Sequence, residues 1–339
     1  MFGFKLTDFD KKVYKEELDS FLPKNIIDSH AHVYREVDCY PKKPGEKVYW
    51  PHRVALDNSI EDIKQTYKDL FPSNNVIPVI FGMPDCKLDS VNAYVSKVAK
   101  ENNYPALYCT HADMSAEFLE EEVIKGGFQG LKPYCNNQSV INKDYAEIYD
   151  FLPKAHLEVA NKYGWKVVLH ISKPDRLKNE SNIKTLMEIE EKYPNVRLIV
   201  AHIGRAYAPE DLGNAFDTLK HTKNMMFDFC ANTLSYATAK CIEAVGTKRV
   251  MFGTDLPIAK MRMYRISEDG YYINVVPRGL YGDLDGAAHM RETDEQNVTN
   301  FTYEIVRGFI GCAKTLSLTK NEIEDVMCNN ASKLYGVKF

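Results

Sequence analysis

Short apolar runs rich in β-branched and aromatic residues recur along the chain at separations of roughly 25 to 50 residues, and polar segments with helical spacing lie between them. Eight such runs are predicted to be strands: residues 25–33, 76–83, 105–114, 128–135, 165–172, 196–204, 225–231 and 249–257. Eight strands that alternate with helices imply parallel strands joined by right-handed crossovers. The pattern therefore predicts an α/β fold of the closed (β/α)8 TIM-barrel type.

The polar spacers carry signals for where helices begin and end. Ser59 and Asp62 have the spacing of a capping box ahead of an apolar stripe. Pro209 suits the first turn of a helix over residues 208–220, and Gly246 suits the C-terminal cap of another. These spacers are expected to be the crossover helices.

Three segments lie outside the eight strands and crossover helices of a minimal barrel. An amphipathic helix is predicted around residues 8–22, and the loop at 34–58, rich in Pro, Tyr and Trp, is too long for a simple connection and is a lid candidate. After the eighth run, a segment without a clean period precedes helices predicted around 294–311 and 320–335.

The length favours one domain with additions. A single barrel runs to about 250 residues before insertions, and the chain has 339. We expect one domain over 1–339, with barrel strands in roughly 25–257 and a specificity loop and closing helices in 258–339.

Composition and charge limit the classes of partner that the chain is expected to bind. With 45% hydrophobic and 27% charged residues, the chain has the make-up of a soluble globular protein, and a formal charge of -4 with scattered Lys and Arg disfavours nucleic acid. Residues 1–25 lack the apolar run of a signal peptide, and no stretch approaches the roughly 20 residues of a membrane span. We expect a cytoplasmic protein with a small-molecule substrate, no membrane partner and a possible homodimer.

The eight cysteines never form a C-x-x-C pair and mostly lie in apolar surroundings. Reduced thiols in the core are therefore expected, in preference to metal ligands or disulfides.

Four of the eight runs end in residues that can bind a metal. His30 and His32 lie two apart at the end of the first run, so both side chains point the same way. His170 ends the fifth run, His202 the sixth and Asp255 the eighth. All five would meet at the carboxyl end of the barrel, where enzymes of this fold hold their active sites.

A single histidine at a strand end is more often a hydrogen-bonded structural residue than a ligand. Five such groups packed together would be costly without an ion. Neutral imidazoles and a carboxylate suit one divalent metal, zinc first, with manganese, iron or cobalt as alternatives.

Several motifs in order along the chain resemble the amidohydrolase superfamily, in its amidohydrolase-related (amidohydrolase 2) branch. They are "IIDSHAHV", "GLKPY", "VVLHIS", "LIVAHIGR", "FGTDLP" and the closing "NNASKLYGV". The resemblance spans nearly the whole chain.

The resemblance implies roles for these residues. His30, His32, His170 and Asp255 would ligate the metal, and His202 would stay as an acid that contacts the bound water or a substrate oxygen. Asp255 would also accept the proton from water and pass it to the leaving group.

Lys132, at the end of the fourth run, has three possible roles. In two-metal members of the superfamily a lysine on this strand is carboxylated and bridges the ions, which is the less expected outcome here. The alternatives are a substrate contact through the ammonium group and an ordinary buried salt bridge.

Weaker candidates for substrate binding are His111, His289, Arg262 and Arg265. His111 ends the third run, whereas the other three lie in the segment after the eighth run. An arginine there could bind an anionic substrate, although the segment is not net basic.

The leading functional hypothesis is a metal-dependent hydrolase that cleaves an amide, ester or lactone-type bond. The alternative is a metal-dependent decarboxylase of an aromatic or muconate-like acid, because relatives with this activity use the same residues. A non-catalytic metal-binding barrel is less expected, because a structural zinc site is normally closed by four protein ligands and leaves no histidine such as His202 unligated.

Overall fold

Eight short parallel strands form a closed ring in the computed structural model, which describes residues 4–41, 50–135, 142, 144–284 and 287–339. The strands are β1 Asn25–His32, β2 Asn75–Phe81, β3 Tyr108–Thr110, β4 Gly130–Pro133, β5 Lys166–Leu169, β6 Arg197–Val200, β7 Met226–Asp228 and β8 Val250–Met251. Each lies within one of the eight predicted runs or begins one residue before it. The predicted (β/α)8 fold is confirmed.

Backbone hydrogen bonds close the ring. β1 pairs with β2, and β3 to β8 pair in sequence order. The Ile80 amide donates to Pro105 at 2.9 Å and so joins β2 to β3. The Ser29 amide donates to Phe252 at 3.0 Å, which joins β1 to the chain after β8. The first and last strands of the barrel are therefore neighbours.

Helices lie between the strands and at both ends of the chain. They are α1 Asp8–Val13, α2 Trp50–Val54, α3 Ile60–Leu70, α4 Leu88–Asn102, α5 Ala116–Gly126, α6 Ile148–Phe151, α7 Lys154–Tyr163, α8 Glu180–Lys192, α9 His202–Arg205, α10 Ala215–Leu219, α11 Ser235–Val245, α12 Phe301–Thr315, α13 Lys320–Glu324 and α14 Asn330–Tyr335. Among the described residues, no helix is both long enough and apolar enough to cross a lipid bilayer.

The predicted helix signals are mostly confirmed. The Ser59 hydroxyl accepts from the Asp62 amide, the Asp62 carboxylate accepts from the Ser59 amide, and α3 follows. α11 ends at Gly246, whose φ of 80° suits glycine. The helix expected over 208–220 is interrupted, because Gly213 adopts a φ of 47° between a 3-10 turn and α10.

A small sheet follows β8 where no regular structure was expected. Its strands are β9 Tyr264–Glu268, β10 Tyr271–Pro277 and β11 Met290–Thr293, with β10 in the centre. We call residues 264–293 the insertion sheet. The helix expected from about residue 294 begins only at Phe301, where the Asn300 side chain caps it.

The N-terminal helix is confirmed, as α1 and a π-helical turn at Tyr14–Leu18. It is attached to the rest of the chain by a buried ion pair. The Arg262 guanidinium donates to both oxygens of Asp10, at 3.1 and 2.7 Å, and to the Val298 carbonyl at 2.6 Å.

The expectation that all eight cysteines are reduced is wrong for one pair. Cys39 and Cys86 form a disulfide, because the loop after β1 runs antiparallel to the loop after β2 at these residues. The remaining six cysteines are buried free thiols, as expected. The lid prediction concerns the same loop after β1, and residues 42–49 of it lie outside the described residues.

Candidate metal centre

Two histidines and a carboxylate converge at the carboxyl end of the barrel. His30 and His32 lie on β1, and Asp255 follows β8. The Asp255 Oδ1 atom is 3.2 Å from His32 Nε2 and 3.5 Å from His30 Nε2. One potential ligand atom from each residue lies within 4.8 Å of the other two.

Hydrogen bonds on the far side of each ring fix which nitrogen carries the proton. His32 Nδ1 is 2.8 Å from the Gly82 carbonyl, which can only accept, so Nδ1 donates and Nε2 keeps its lone pair. His30 Nδ1 likewise donates to Asp228 Oδ2 at 3.0 Å. Both Nε2 atoms therefore carry a lone pair that could bind a metal, although Lys132 Nζ lies 3.2 Å from that of His30 and the Tyr134 hydroxyl lies 3.1 Å from that of His32.

Three electron-pair donors thus face one another. Burial and the charge of Lys132 together lower the pKa of His30 to about 3, against the opposing effect of Asp228, so the ring is neutral at physiological pH. Asp255 turns Oδ1 toward both nitrogens, at 3.2 Å from His32 and 3.5 Å from His30. Lone pairs and a carboxylate held this close favour a neighbouring cation, and in this structure the Lys132 ammonium lies beside His30 Nε2. Two imidazole nitrogens and one carboxylate oxygen fit a divalent ion such as zinc or manganese.

His170 lies at the edge of this group. It directly follows β5, and its ring centroid is 5.2 Å from that of His202. It belongs to neither of the two potential metal-binding groups found among the described residues. Burial and the neighbouring His202 hold its pKa well below the usual range, so it too is neutral.

His202 belongs to a second, less suitable group with His30 and Cys230. A cysteine binds metal as the thiolate, whereas the Cys230 thiol donates to Asp228 Oδ1 at 2.7 Å. Burial and the Asp228 charge raise the pKa of this thiol well above its usual value. His202 Nδ1 donates to the Cys230 carbonyl at 3.0 Å, which leaves its Nε2 available as well.

The backbone at two of these positions is strained. His202, Ile203, Gly204 and Arg205 have consecutive φ values of 58°, 50°, 59° and 62°. Asp255 has a φ of 68°. Positive φ values are unfavourable for residues other than glycine, above all for a β-branched residue, and they cluster at functional sites.

Two buried carboxylates beside the site have no role predicted from the sequence. Asp228 accepts from His30 Nδ1 and from the amide of His202 at 2.8 Å. Asp28 accepts from the Thr254 amide at 2.8 Å and the Tyr67 hydroxyl at 2.6 Å, and so joins β1 to the chain after β8. Each is the one charged residue inside its apolar run, which is the signal that could have identified it.

Lys132 is fully buried beside the two β1 histidines. Its Nζ donates to His30 Nε2 at 3.2 Å and lies 4.8 Å from the Phe81 ring centroid. Among the described residues no carboxylate lies within salt-bridge distance of it, so the salt-bridge alternative is not what the structure shows. Because a bound ion and this ammonium cannot share one lone pair, ion binding requires Lys132 to move or to lose a proton.

The four weaker candidates lie in different places. His111 is at the rim, with Nδ1 3.3 Å from Asp113 Oδ2. His289 stacks on Tyr272 of β10 at 4.2 Å. Arg262 forms the ion pair with Asp10 described above, an arrangement that favours a structural role over the expected substrate contact.

Arg265 is the candidate that lies beside the centre. It donates to the Ala231 carbonyl at 2.7 Å, just after β7, and its guanidinium lies 4.4 Å from the Tyr207 ring centroid. The Tyr207 ring is in turn 6.2 Å from that of His202. The insertion sheet thus brings an arginine next to the predicted metal site.

Two more arginines lie close by, and we call Arg176, Arg205 and Arg265 the arginine cluster. Arg176 donates to both oxygens of Asp211 at 2.7 Å, whereas Arg205 donates to the backbone carbonyls of residues 172 and 173. Within the described part of the chain, neither Arg205 nor Arg265 is paired with a carboxylate. The cluster therefore carries excess positive charge.

Replacing Asp228 by asparagine is expected to weaken zinc or manganese binding about 10- to 100-fold, because the His30 ring would lose the carboxylate that orients it. Titration against a competing chelator measures the change. The exposed residue Asp217 on α10 provides a matched control as Asp217→Asn, which should bind as the parent does. Equal affinity of the Asp228 variant and the parent would show that the orientation of His30 does not depend on this carboxylate.

Comparisons with known proteins agree with this architecture. The family model described as amidohydrolase matches residues 27–337. No curated protein is significantly similar to the chain in sequence.

Several solved structures share the fold at low identity. A probable 2-pyrone-4,6-dicarboxylic acid hydrolase from Acinetobacter baumannii, with citric acid bound, is 15% identical over 92% of this chain and 100% of its own, with a TM-score of 0.58. A 4-oxalomesaconate hydratase from Rhodopseudomonas palustris is 14% identical over 92% and 95%, with a TM-score of 0.54. A dihydroxybenzoic acid decarboxylase from a Polaromonas species, with manganese and 2-nitroresorcinol bound, is 12% identical over 93% and 97%, with a TM-score of 0.53. At this identity the likeness supports the fold alone.

Proposed function

Because the chain belongs to the amidohydrolase family, we propose that it is a metal-dependent hydrolase that cleaves an ester, lactone or amide bond in a small, carboxylate-bearing molecule. The observation that carries the proposal is the convergence of two neutral imidazole nitrogens with the Asp255 carboxylate. Three electron-pair donors this close together favour a cation at this point.

His30, His32 and Asp255 would hold the ion, with His170 as the fourth ligand that the family resemblance implies. A divalent ion at this place supplies a Lewis acid, which acidifies water and polarises a carbonyl group. Among the described residues, Asp255 Oδ2 makes no hydrogen bond. Asp255 can therefore use this oxygen to take a proton from the attacking water and return it to the leaving group.

His202 would act on the substrate oxygen. Its Nδ1 is held by the Cys230 carbonyl, so Nε2 keeps a fixed orientation. A hydrogen bond from a protonated His202 to a developing oxyanion would stabilise the transition state. Burial lowers the pKa of His202, so the neutral ring would have to take up this proton on Nε2 before donating it to the substrate oxygen.

The arginine cluster supports an acidic substrate. Arg265 uses Nε and Nη1 in hydrogen bonds to Asn274 and Ala231, and its Nη2 makes none with the described residues. An unpaired guanidinium next to aromatic rings can bind a carboxylate. The solved Acinetobacter hydrolase contains citric acid, which is itself a carboxylate ligand.

Decarboxylation of an aromatic acid is the second candidate. The stacked Tyr272 and His289 rings, with Tyr207 at 5.0 Å from Tyr272, form an aromatic wall that suits a flat ring. Structures of dihydroxybenzoate decarboxylases share the fold. Release of carbon dioxide from a panel of hydroxybenzoic acids would favour this candidate, and hydrolysis of lactones or esters without gas release would favour the first.

The test of the proposal is His202→Asn. We expect kcat/KM to fall about 10²-fold or more on every panel substrate that the parent accepts, with metal content unchanged. His221→Asn, at an exposed position, is the matched control and should keep full activity. Parental turnover in the His202 variant would exclude the role given to this histidine.

A further inference from the structure

The end of the barrel opposite the metal centre carries a concentrated positive charge. A cavity of about 750 Å³ lies where the amino-terminal ends of β5 to β8 meet the C-terminal helix α14. We call it the basic groove, after the cationic residues that line it: Lys166, Arg197, Lys223, Lys248, Arg249 and Lys333.

Few acidic groups balance these cations. Asp325 is the only carboxylate among the lining residues, and it pairs with Lys248. Nearby, Glu190 accepts from the backbone amides of Lys223 and Asn224, at 2.6 and 2.7 Å. The groove is therefore strongly cationic, although the whole chain has a formal charge of -4.

Most of the basic side chains are available to a ligand. Within the described residues, the Arg197 guanidinium forms no hydrogen bond or ion pair, and neither do the ammonium groups of Lys223 and Lys333. Lys166 makes a long hydrogen bond of 3.4 Å to the Gln129 side chain, and its ammonium lies 5.9 Å from the Tyr335 ring centroid. Arg249 donates to backbone carbonyls of residues 222, 225 and 245.

Such an arrangement is unfavourable unless an anion neutralises it. Lys166 begins β5 and Arg197 begins β6, and these two residues are paired neighbours in the parallel sheet. Like charges on adjacent strands repel each other. Burial and the Arg197 charge accordingly lower the pKa of Lys166.

We propose that the basic groove binds a small anion with two or more phosphate groups, of the nucleoside di- or triphosphate class. A single carboxylate would leave most of the positive charge unbalanced, whereas a phosphate chain presents several negative charges to arginine and lysine donors. The volume lies within the range of small-ligand sites, about 300 to 1,000 Å³. Met226 and Leu334 provide an apolar wall against which a base could pack.

The groove is separate from the predicted catalytic machinery, because its residues come from the beginnings of the strands rather than their ends. Binding can therefore be tested without disturbing the metal centre. The test uses calorimetric titration of the full chain with ATP and with inorganic pyrophosphate, at about 0.15 M salt.

The decisive variant is the double substitution Arg197→Gln and Lys166→Gln. We expect the dissociation constants for ATP and pyrophosphate to rise at least tenfold. The matched control is Lys97→Gln with Lys240→Gln, which removes two exposed lysines and the same net charge elsewhere. It should bind both probes as the parent does.

Each remaining outcome bears on the proposal. Tighter binding of ATP than of pyrophosphate supports an organic ligand on the apolar wall, and equal binding supports a phosphate site alone. A parent chain that shows no saturable binding at millimolar concentrations overturns the proposal, as does a groove variant that binds like the parent. If the first variant folds poorly, Lys223→Gln with Lys333→Gln serves in its place, because both side chains are exposed.

Discussion

An Asp255→Asn variant is expected to lose about 10³-fold or more in kcat/KM on any substrate that the parent hydrolyses. The substitution keeps the shape of the side chain but removes the negative charge that faces His30 and His32. It removes a metal ligand and the proton acceptor at once, so metal content should fall together with activity. Elemental analysis and steady-state kinetics measure the two losses separately.

Asp294→Asn is the matched control for this variant. Asp294 directly follows the insertion sheet, is exposed and pairs with Arg278. The control should keep both metal and activity. An Asp255 variant that retained the metal and a tenth or more of the parental turnover would contradict the proton-transfer role, whatever its effect on affinity.

An Asp10→Ala variant is expected to be much less stable than the parent, which is the second large effect. Asp10 is fully buried and accepts from Arg262, from the Thr7 amide and from the Asn300 amide. Removal of one partner from a buried ion pair leaves the other charge uncompensated, which typically costs about 3 to 5 kcal/mol. Chemical denaturation followed by circular dichroism should show a midpoint well below that of the parent.

Asp8→Ala is the control, because Asp8 lies on the same helix and its pair with Lys11 is exposed to solvent. It should leave the midpoint nearly unchanged. Equal midpoints for the Asp10 and Asp8 variants would mean that the N-terminal helix contributes little to the stability of the barrel.

Lowering the pH should remove the stabilisation that the ionised Asp10 contributes. Burial alone would raise the pKa of Asp10, but hydrogen bonds from Arg262 and Thr7 bring it below the usual value for an aspartate. The stabilisation is therefore complete above the pKa of the unfolded chain and is lost as the pH falls through the lower pKa of the folded state. The difference in stability between the parent and Asp10→Asn should be constant from pH 7 to about 5 and should shrink below about pH 4.

The barrel and the residues at its mouth could be predicted from the sequence for a simple reason. Buried parallel strands are apolar on both faces and so appear as short uninterrupted runs. In a closed barrel the carboxyl ends of all strands meet at one end. A polar residue at the end of an apolar run is therefore predicted to lie at that end of the barrel. His30, His32 and Asp255 were located together by this argument alone.

The remaining features depend on contacts between distant segments. Arg262 and Arg265 are only three residues apart, yet one is bonded to Asp10 and the other lies beside Tyr207. No local pattern separates them, because the difference arises from the insertion sheet, whose short strands carry mostly half-exposed side chains of mixed polarity. The disulfide between Cys39 and Cys86 likewise joins positions 47 residues apart.

The same limit applies to the tautomers of the histidines. A sequence shows which residues can bind metal, but the proton on each ring is placed by partners such as Gly82 and Asp228, which lie on other strands. Nor could the sequence show that, among the described residues, His170 lies beside His202 and outside the group of His30, His32 and Asp255, because this depends on where the strand ends lie in three dimensions.

The contact between the first and last strands of the barrel has a consequence for biosynthesis. The ribosome makes His30 and His32 more than two hundred residues before Asp255, so a nascent chain carries two of the three facing donors for most of its synthesis. The third arrives only when β8 docks against β1 through the Ser29 and Phe252 backbone. A nascent chain that has not yet reached this step lacks the complete donor set, so binding of the proposed metal would mark a chain whose barrel has closed.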